Sequence, residues 1–183
     1  MKKKLLFLGP PGAGKGTQAN LFCNKYRLDH LSTGDLLRDE VSSGSVLGLK
    51  AAEIMNKGEL VNDELVLSIV EGRLLSSSEG WLLDGFPRNI NQANALKNLL
   101  EKINQPLEGV VLIKIANEYL IKRLLGRGRQ DDNEDVISNR LKIYKEKTSP
   151  LIDLYSQQGI LEEIDGNADI DVVFSCIERA LGR

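Results

Sequence analysis

The stretch Gly9-Pro10-Pro11-Gly12-Ala13-Gly14-Lys15-Gly16-Thr17 follows the apolar run Leu5-Leu6-Phe7-Leu8 and precedes residues with helical spacing. Its G-x-x-x-x-G-K pattern sets glycines where the backbone must fold back and approach a ligand closely, so that several N–H groups point at one anion. Lys15 adds a full positive charge, and the helix that follows adds its unpaired N-terminal amides and the positive end of its dipole. The stretch therefore reads as a phosphate-gripping loop rather than a bare glycine-rich turn. The dinucleotide spacing G-x-G-x-x-G fails, because counting from Gly12 and Gly14 the third glycine position holds Thr17. The usual Ser or Thr after the lysine is Gly16, and the hydroxyl arrives one residue later at Thr17.

Working outward, the apolar run before the loop is a strand and residues 18–26 form a helix packed on a sheet. Further strands are expected at 29–31, 81–83, 109–115 and 160–164, the fourth of the five strands being apolar enough for a buried parallel strand. Residues 32–61 contain no strand and read as a helical insert, with Ser32 and Asp35 spaced like a helix cap and a break at 42–45. Asn62 is placed to cap a helix reaching about Leu75, with Asp63 and Glu64 in its first turn, and 76–80 is a turn. Helices are expected at 89–102, at 118–125 ending on Gly126, and at 169–181. A polar, hairpin-like stretch covers 127–135. The region to Gln158 is either one kinked helix or two end to end, with Thr148 or Ser149 as a cap before Pro150. Strands alternating with helices specify an α/β fold with a five-stranded parallel sheet, helices on both faces, and a ligand beyond the carboxyl ends of the strands.

The 183 residues suit one domain with a real core, and 42% hydrophobic with 27% charged residues is the balance of a globular protein in water. A net charge of −2 shows no nucleic-acid or membrane footprint. Lys2-Lys3-Lys4 before Leu5 imitates a signal peptide, but four apolar residues are too few for its core. Cys23 and Cys176 lie far apart and outside any C-x-x-C pair, so neither zinc nor a disulfide framework is indicated and a reducing cytoplasm is expected.

The motifs G-P-P-G-A-G-K-G-T, L-S-T-G-D-L-L-R, L-L-D-G-F-P-R with N-I-N-Q, and G-R-G-R-x-D-D-N-E-D resemble, in order and along the whole chain, those of the adenylate kinase family, and the G-K-G-T variant is similar to nucleoside monophosphate kinases in general. The resemblance implies a P-loop three-layer fold in one domain, 1–183, with a monophosphate-binding insert at about 32–61 and a lid at about 126–132. It implies reversible phosphoryl transfer between MgATP and AMP, giving two ADP. The residues suit that reaction unaided. Its loose transition state needs positioning and cations rather than a nucleophile, and a phosphate acceptor is already dianionic near neutrality and needs no general base. The sole histidine, His30, is accordingly read as a packed or rim residue.

The cations are Lys15, Arg38, Arg88, Arg123, Arg127, Arg129 and Arg140; arginine's planar fork suits phosphate oxygens. By resemblance, Gly12, Ala13, Gly14, Lys15, Gly16 and Thr17 hold ATP with Arg123, Arg127 and the backbone of Gly166, Arg123 lying flat on the adenine. The resemblance also implies that Lys15, Arg88, Arg127, Arg129 and Arg140 serve catalysis. The AMP side comprises Thr33, Arg38, Glu59, Leu60, Val61, Gly85, Phe86, Pro87, Arg88, Gln92, Arg129 and Arg140. Thr33 and Gln92 favour adenine, since similar UMP/CMP kinases tend to carry Ala and Asn there. Mg²⁺ is expected through water, with Asp84 at a strand end and Asp35 as candidates and no direct ligand. The acidic run 131–135 lacks the glycine of a calcium loop and is read as helix cap and partner of lid arginines. A lid without Cys or His excludes the zinc of longer family members, and Gly126 and Gly128 are candidate flexible points for closure. A GTPase would need N-K-x-D, which is absent; a nucleotide sensor would not need a second arginine-lined phosphate site. ATP, AMP and ADP are the expected partners, with no nucleic acid, no membrane and a monomeric state.

Overall fold

The computed structural model describes residues 2–44, 46–77, 79–129 and 132–182. Strands β1 (Lys4–Leu8), β2 (Asp29–Ser32), β3 (Trp81–Asp84), β4 (Gly109–Lys114) and β5 (Leu161–Asp165) form one parallel sheet in the order β2-β3-β1-β4-β5. Phe7 stands opposite Asp84 and Val111, and Ser32 opposite Asp84. The carboxyl ends of β1, β2 and β3 are thus level, and the chain leaves all three toward the same edge.

Nine helices are described: α1 (Lys15–Tyr26), α2 (Thr33–Ser42), α3 (Val46–Asn56), α4 (Asp63–Ser76), α5 (Ile90–Lys102), α6 (Asn117–Arg127), α7 (Glu134–Ile143), α8 (Pro150–Gln157) and α9 (Ile170–Ala180). Strand side chains alternate between faces, which splits the core in two. Leu6, Leu8, Leu83, Val110 and Leu112 pack with α4, α5 and α8, while Leu5, Phe7, Leu82, Val111 and Ile113 pack with α1 and α9. The three central strands β1, β3 and β4 are covered on both faces and are apolar but for an end residue, whereas the edge strands β2 and β5 carry exposed Asp29, Glu163 and Asp165.

The α/β fold and the five strands match the sequence reading, and the described residues of 33–61 hold no strand, but Ser32 ends β2 and several other ends differ. Helix α1 begins at Lys15, not at 18, because Gly14 caps it in a left-handed conformation. Asn89 and Asp169 lie outside α5 and α9 as their cap positions. Helix α6 runs through Gly126 and stops at Gly128, whose φ of 71° ends it; Gly126 is tolerated inside the helix, so it is not the stop. The question left open for the region to Gln158 is resolved by a π-helical turn, Tyr144–Thr148, between α7 and α8. Ser149 forms no side-chain cap there and instead donates to the Lys145 carbonyl at 2.6 Å. Parts of the expected turns at 42–45 and 76–80, and residues 130 and 131 of the expected lid and acidic run, lie outside the described residues.

Candidate active site

Gly14 holds φ at 91° as the N-cap of α1, a conformation costly for any residue with a Cβ, and this turn brings the first N–H groups of the helix to the cleft. Lys15 folds back over the loop, donating from Nζ to the carbonyls of Gly9 and Pro10 at 2.9 and 3.1 Å. Burial pulls its pKa down to about 8; Asp84 opposes this, and the Arg88, Arg140 and Arg127 charges reinforce it.

Asp84 ends β3 nearly buried, and the Thr33 hydroxyl donates to its carbonyl at 3.3 Å. His30 Nε2 lies 3.6 Å from Asp84 Oδ2 and makes no hydrogen bond, while its Nδ1 is 2.9 Å from Asn20 Oδ1. The next residue, Gly85, has φ 83°, and a Cβ there would sit 3.0 Å from Thr33 Oγ1 and 3.1 Å from Arg88 Nη2. Only glycine lets this turn pass so close to both. Arg88 Nε donates to the Gly85 carbonyl at 2.6 Å, which aims the guanidinium back toward the loop edge. Burial and the nearby Arg140 and Arg38 charges lower its pKa against the pull of Asp84.

Two carboxylates brace the other arginines. Asp35 pairs with Arg38 and lies 3.7 Å from Arg129 Nη2. Asp132, whose side chain is 1% exposed, accepts from Arg127 through both oxygens at 2.8 and 2.5 Å, from Arg140 at 3.3 Å and from the Arg129 backbone N–H at 3.2 Å. Burial alone would raise both carboxyls. It is outweighed at Asp35 by hydrogen bonds with Ser32 and Arg38, and at Asp132 by the Arg127 hydrogen bond and the arginine charges, so both fall below the usual carboxylate range. Arg123 Nη2 donates to the Gly166 carbonyl at 3.2 Å.

A cavity of about 880 Å³ collects the loop from Gly12 to Thr17 together with Asp35, Arg38, Asp84, Arg88, Arg123, Arg127, Arg129, Arg140 and Gly166. Beside it, a smaller cleft joins Thr33, Arg38, Glu59, Leu60, Val61, Gly85, Arg88, Gln92 and Arg140. Pro87 lines the larger cavity, whereas Phe86 packs its ring into the core, so only its backbone is left to serve a ligand. Among the described residues no group of three or more His, Cys, Asp or Glu could hold a metal ion by itself. The donor set fits an ion that keeps its water shell: the Asp84 carboxylate reaches to 3.5 Å of a Cβ placed on Gly16, at the end of the loop.

Sequence reasoning singled out neither Thr148 nor Asp63 as a site residue. Thr148 lines the larger cavity and donates to the Arg88 carbonyl at 2.7 Å; Asp63 holds the Gln92 amide at 2.6 Å. Both contacts join distant segments, and no local pattern announces them. Asp63 has an ordinary first-turn acid's signature, and Thr148 looked like a cap.

The sequence model of adenylate kinase matches residues 7–160. The adenylate kinase of Prochlorococcus marinus strain NATL1A is 86% identical over 182 residues, covering 100% of both chains. Those of P. marinus strain MIT 9303 and of Synechococcus sp. strain CC9311 are 58% and 57% identical, each covering 99% of this chain and 100% of the relative. Likeness at that level, unbroken from the phosphate loop through the insert to the last helix, leaves one placement: the chain belongs to the adenylate kinase family.

Proposed function

We propose that the two nucleotides of the reaction sit at opposite ends of one cleft, the triphosphate on the loop and the monophosphate against the helical insert. The reaction is that of the family, reversible phosphoryl transfer between ATP and AMP giving two ADP. The observation that carries this arrangement is the convergence of Lys15, Arg38, Arg88, Arg123, Arg127, Arg129 and Arg140 on a single cavity built around the loop. So many cations facing one space, offset only in part by Asp35, Asp84 and Asp132, favour a highly charged anion there.

In this arrangement the N–H groups of Gly12 to Thr17 and Lys15 grip the β- and γ-phosphates of ATP. Arg123, tethered to Gly166, offers its flat face to the adenine. Arg38 and Arg88 hold the AMP phosphate. Arg127, Arg129 and Arg140 surround the oxygens of the group in transfer, so that charge spreading over them in the transition state meets fixed donors. Asp84, with Asp35, would hold Mg²⁺ through water, and the ion would supply positive charge that offsets the phosphates. The AMP base enters the smaller cleft against Glu59, Leu60 and Val61, with Thr33 and Gln92 reading adenine. The 32–61 insert and the 126–132 lid close over the nucleotides, with Gly128 as the flexible point.

Among the described residues no helix is long and apolar enough to cross a membrane. Both cysteines are free thiols, Cys23 buried and Cys176 half-buried, which supports a reducing compartment, the cytoplasm. A monomer is proposed with it. A coupled assay of MgATP against AMP, UMP, CMP and GMP tests the whole reading: ADP forms with AMP far faster than with the others. No ADP from any of the four would overturn it, and equal rates would remove the adenine preference.

A further inference from the structure

Helices α4 and α5 begin side by side at the smaller cleft, and their first turns are tied together. Asn89 caps α5, its Oδ1 accepting from Gln92 N at 2.8 Å. Asp63, the first residue of α4, is half-buried between the two helix starts. Its carboxylate accepts from Asn89 Nδ2 at 3.3 and 3.4 Å and from Gln92 Nε2 at 2.6 Å. The other end of the Gln92 amide, Oε1, accepts from Arg88 N at 2.7 Å. Gln92 itself is 3% exposed and lines the cleft beside Leu37, Met55 and Val61.

A carboxylate only accepts and a backbone N–H only donates, so this pair of partners permits one of the two orientations of the amide. Turned over, Oε1 would meet the Asp63 oxygen and the Nε2 hydrogens would meet the Arg88 N–H, and both hydrogen bonds would be lost in a buried place. In the permitted orientation one Nε2 hydrogen and one Oε1 lone pair remain unused. That neighbouring donor and acceptor complement adenine, where the 6-amino group donates beside a ring nitrogen that accepts. A 6-keto purine such as hypoxanthine carries a carbonyl in place of the amino group, which meets the Gln92 oxygen with an acceptor.

We propose that Asp63 is a positioning residue for base specificity: by pinning Gln92 Nε2, it sets the donor–acceptor sense that the amide presents, and so the preference for adenine over 6-keto purines. This rests on the reading of Gln92 as a contact to the AMP base. Asp63 acts through Gln92 and touches no substrate.

The test compares kcat/KM for AMP with that for inosine monophosphate, MgATP being the donor, in the full chain and in Asp63→Ala, Asp63→Asn, Gln92→Ala and the Asp63→Ala/Gln92→Ala double variant. Asp63→Ala lowers the AMP-to-IMP ratio about tenfold, the worth of one discriminating hydrogen bond, and leaves the KM for ATP unchanged. Asp63→Asn, which keeps an acceptor oxygen, retains most of the ratio. The double variant discriminates no less than Gln92→Ala alone, because the two side chains act as one unit. If Asp63→Ala does not fold, Asp63→Ser, polar but too short to reach Gln92, takes its place with the same expected loss. A ratio unchanged in Asp63→Ala but lowered in Gln92→Ala overturns the role of Asp63 alone, and a ratio unchanged in Gln92→Ala overturns the reading of Gln92. An equal fall in kcat/KM for both monophosphates reduces Asp63 to a helix-end staple and overturns the proposal.

Discussion

Lys15, proposed to grip the triphosphate, holds its proton weakly. Its pKa near 8 in the nucleotide-free protein reflects burial first and surrounding arginines after it. A bound polyphosphate reverses that balance and raises the pKa, so nucleotide binding above about pH 8 takes up a proton and weakens as pH rises. Calorimetry at about pH 8.5 in buffers of different ionisation heat reads this uptake directly; a binding heat independent of buffer would contradict it. For folding the sign is opposite. The unfolded chain binds more protons at this lysine between about pH 8 and the ordinary lysine pKa near 10.4, so the destabilisation it causes is relieved as pH rises through that window. Asp132 works the other way. Its lowered pKa means that its pairing with Arg127 and Arg140 contributes stability above the ordinary aspartate pKa of about 3.9 and loses it as pH falls toward the native value. Asp132→Asn therefore costs about 1–3 kcal/mol in chemical denaturation at neutral pH, since the hydrogen bonds it weakens are charge-assisted. In the proposed arrangement it also lowers kcat, because Arg127 and Arg140 lose their brace.

At the scale of the element, the π-helical turn between α7 and α8 gives Thr148 its place under Arg88. The extra residue per turn widens the helix and carries Thr148 into the cavity wall, where its hydroxyl meets the Arg88 carbonyl at 2.7 Å. Arg88 is then held at three points: its carbonyl by Thr148, its N–H by Gln92 and its Nε by the Gly85 carbonyl. Thr148→Val keeps shape and loses the donor. It raises the KM for AMP about three- to tenfold, the worth of one buried hydrogen bond, while the KM for ATP stays put, and Thr148→Ser restores the AMP value. Steady-state kinetics with each nucleotide varied in turn decides this; equal movement of both KM values would mean general loosening. None of this was readable from 134–158 alone. Helical periodicity announced a long helix and Pro150 announced a break, yet a π turn has no pattern in composition and is stabilised by what it touches. By contrast, the cap at Asn62 and the strands β1 and β4 were legible, because a cap or an apolar run is decided within a few residues.

Across the whole molecule, the proposed insert and lid, with α7 after the lid, carry arginines on elements that leave the sheet edge in different places. Arg38 rides on α2, Arg127 ends α6, and Arg140 lies on α7. Asp35 and Asp132 hold these side chains together without nucleotide, and phosphates compete for the same forks. A bisubstrate analogue that spans both phosphate sites therefore draws the insert and the lid together. Fluorophores on α3 and near Gly128 report a shortened distance, and no change would count against closure. The same analogue raises thermal stability by about 2.7 kcal/mol at a hundredfold excess over its Kd, and scanning calorimetry checks it.

The amino-acid sequence by itself determined the glycine-rich loop between β1 and α1, the order of strands and helices, the run of helices after β2 and the types of cation available. Each of these is written in short-range spacing, in glycine and proline placement, or in motifs that remain contiguous along the chain. Only the tertiary structure decided that Lys15 lies back on the Gly9 and Pro10 carbonyls, that Asp132 joins Arg127 to Arg140, that Thr148 supports Arg88 and that Asp63 sets the face of Gln92. Those arrangements depend on which distant side chains the parallel sheet brings to one edge, and a buried donor or acceptor finds its partner there in space rather than along the chain.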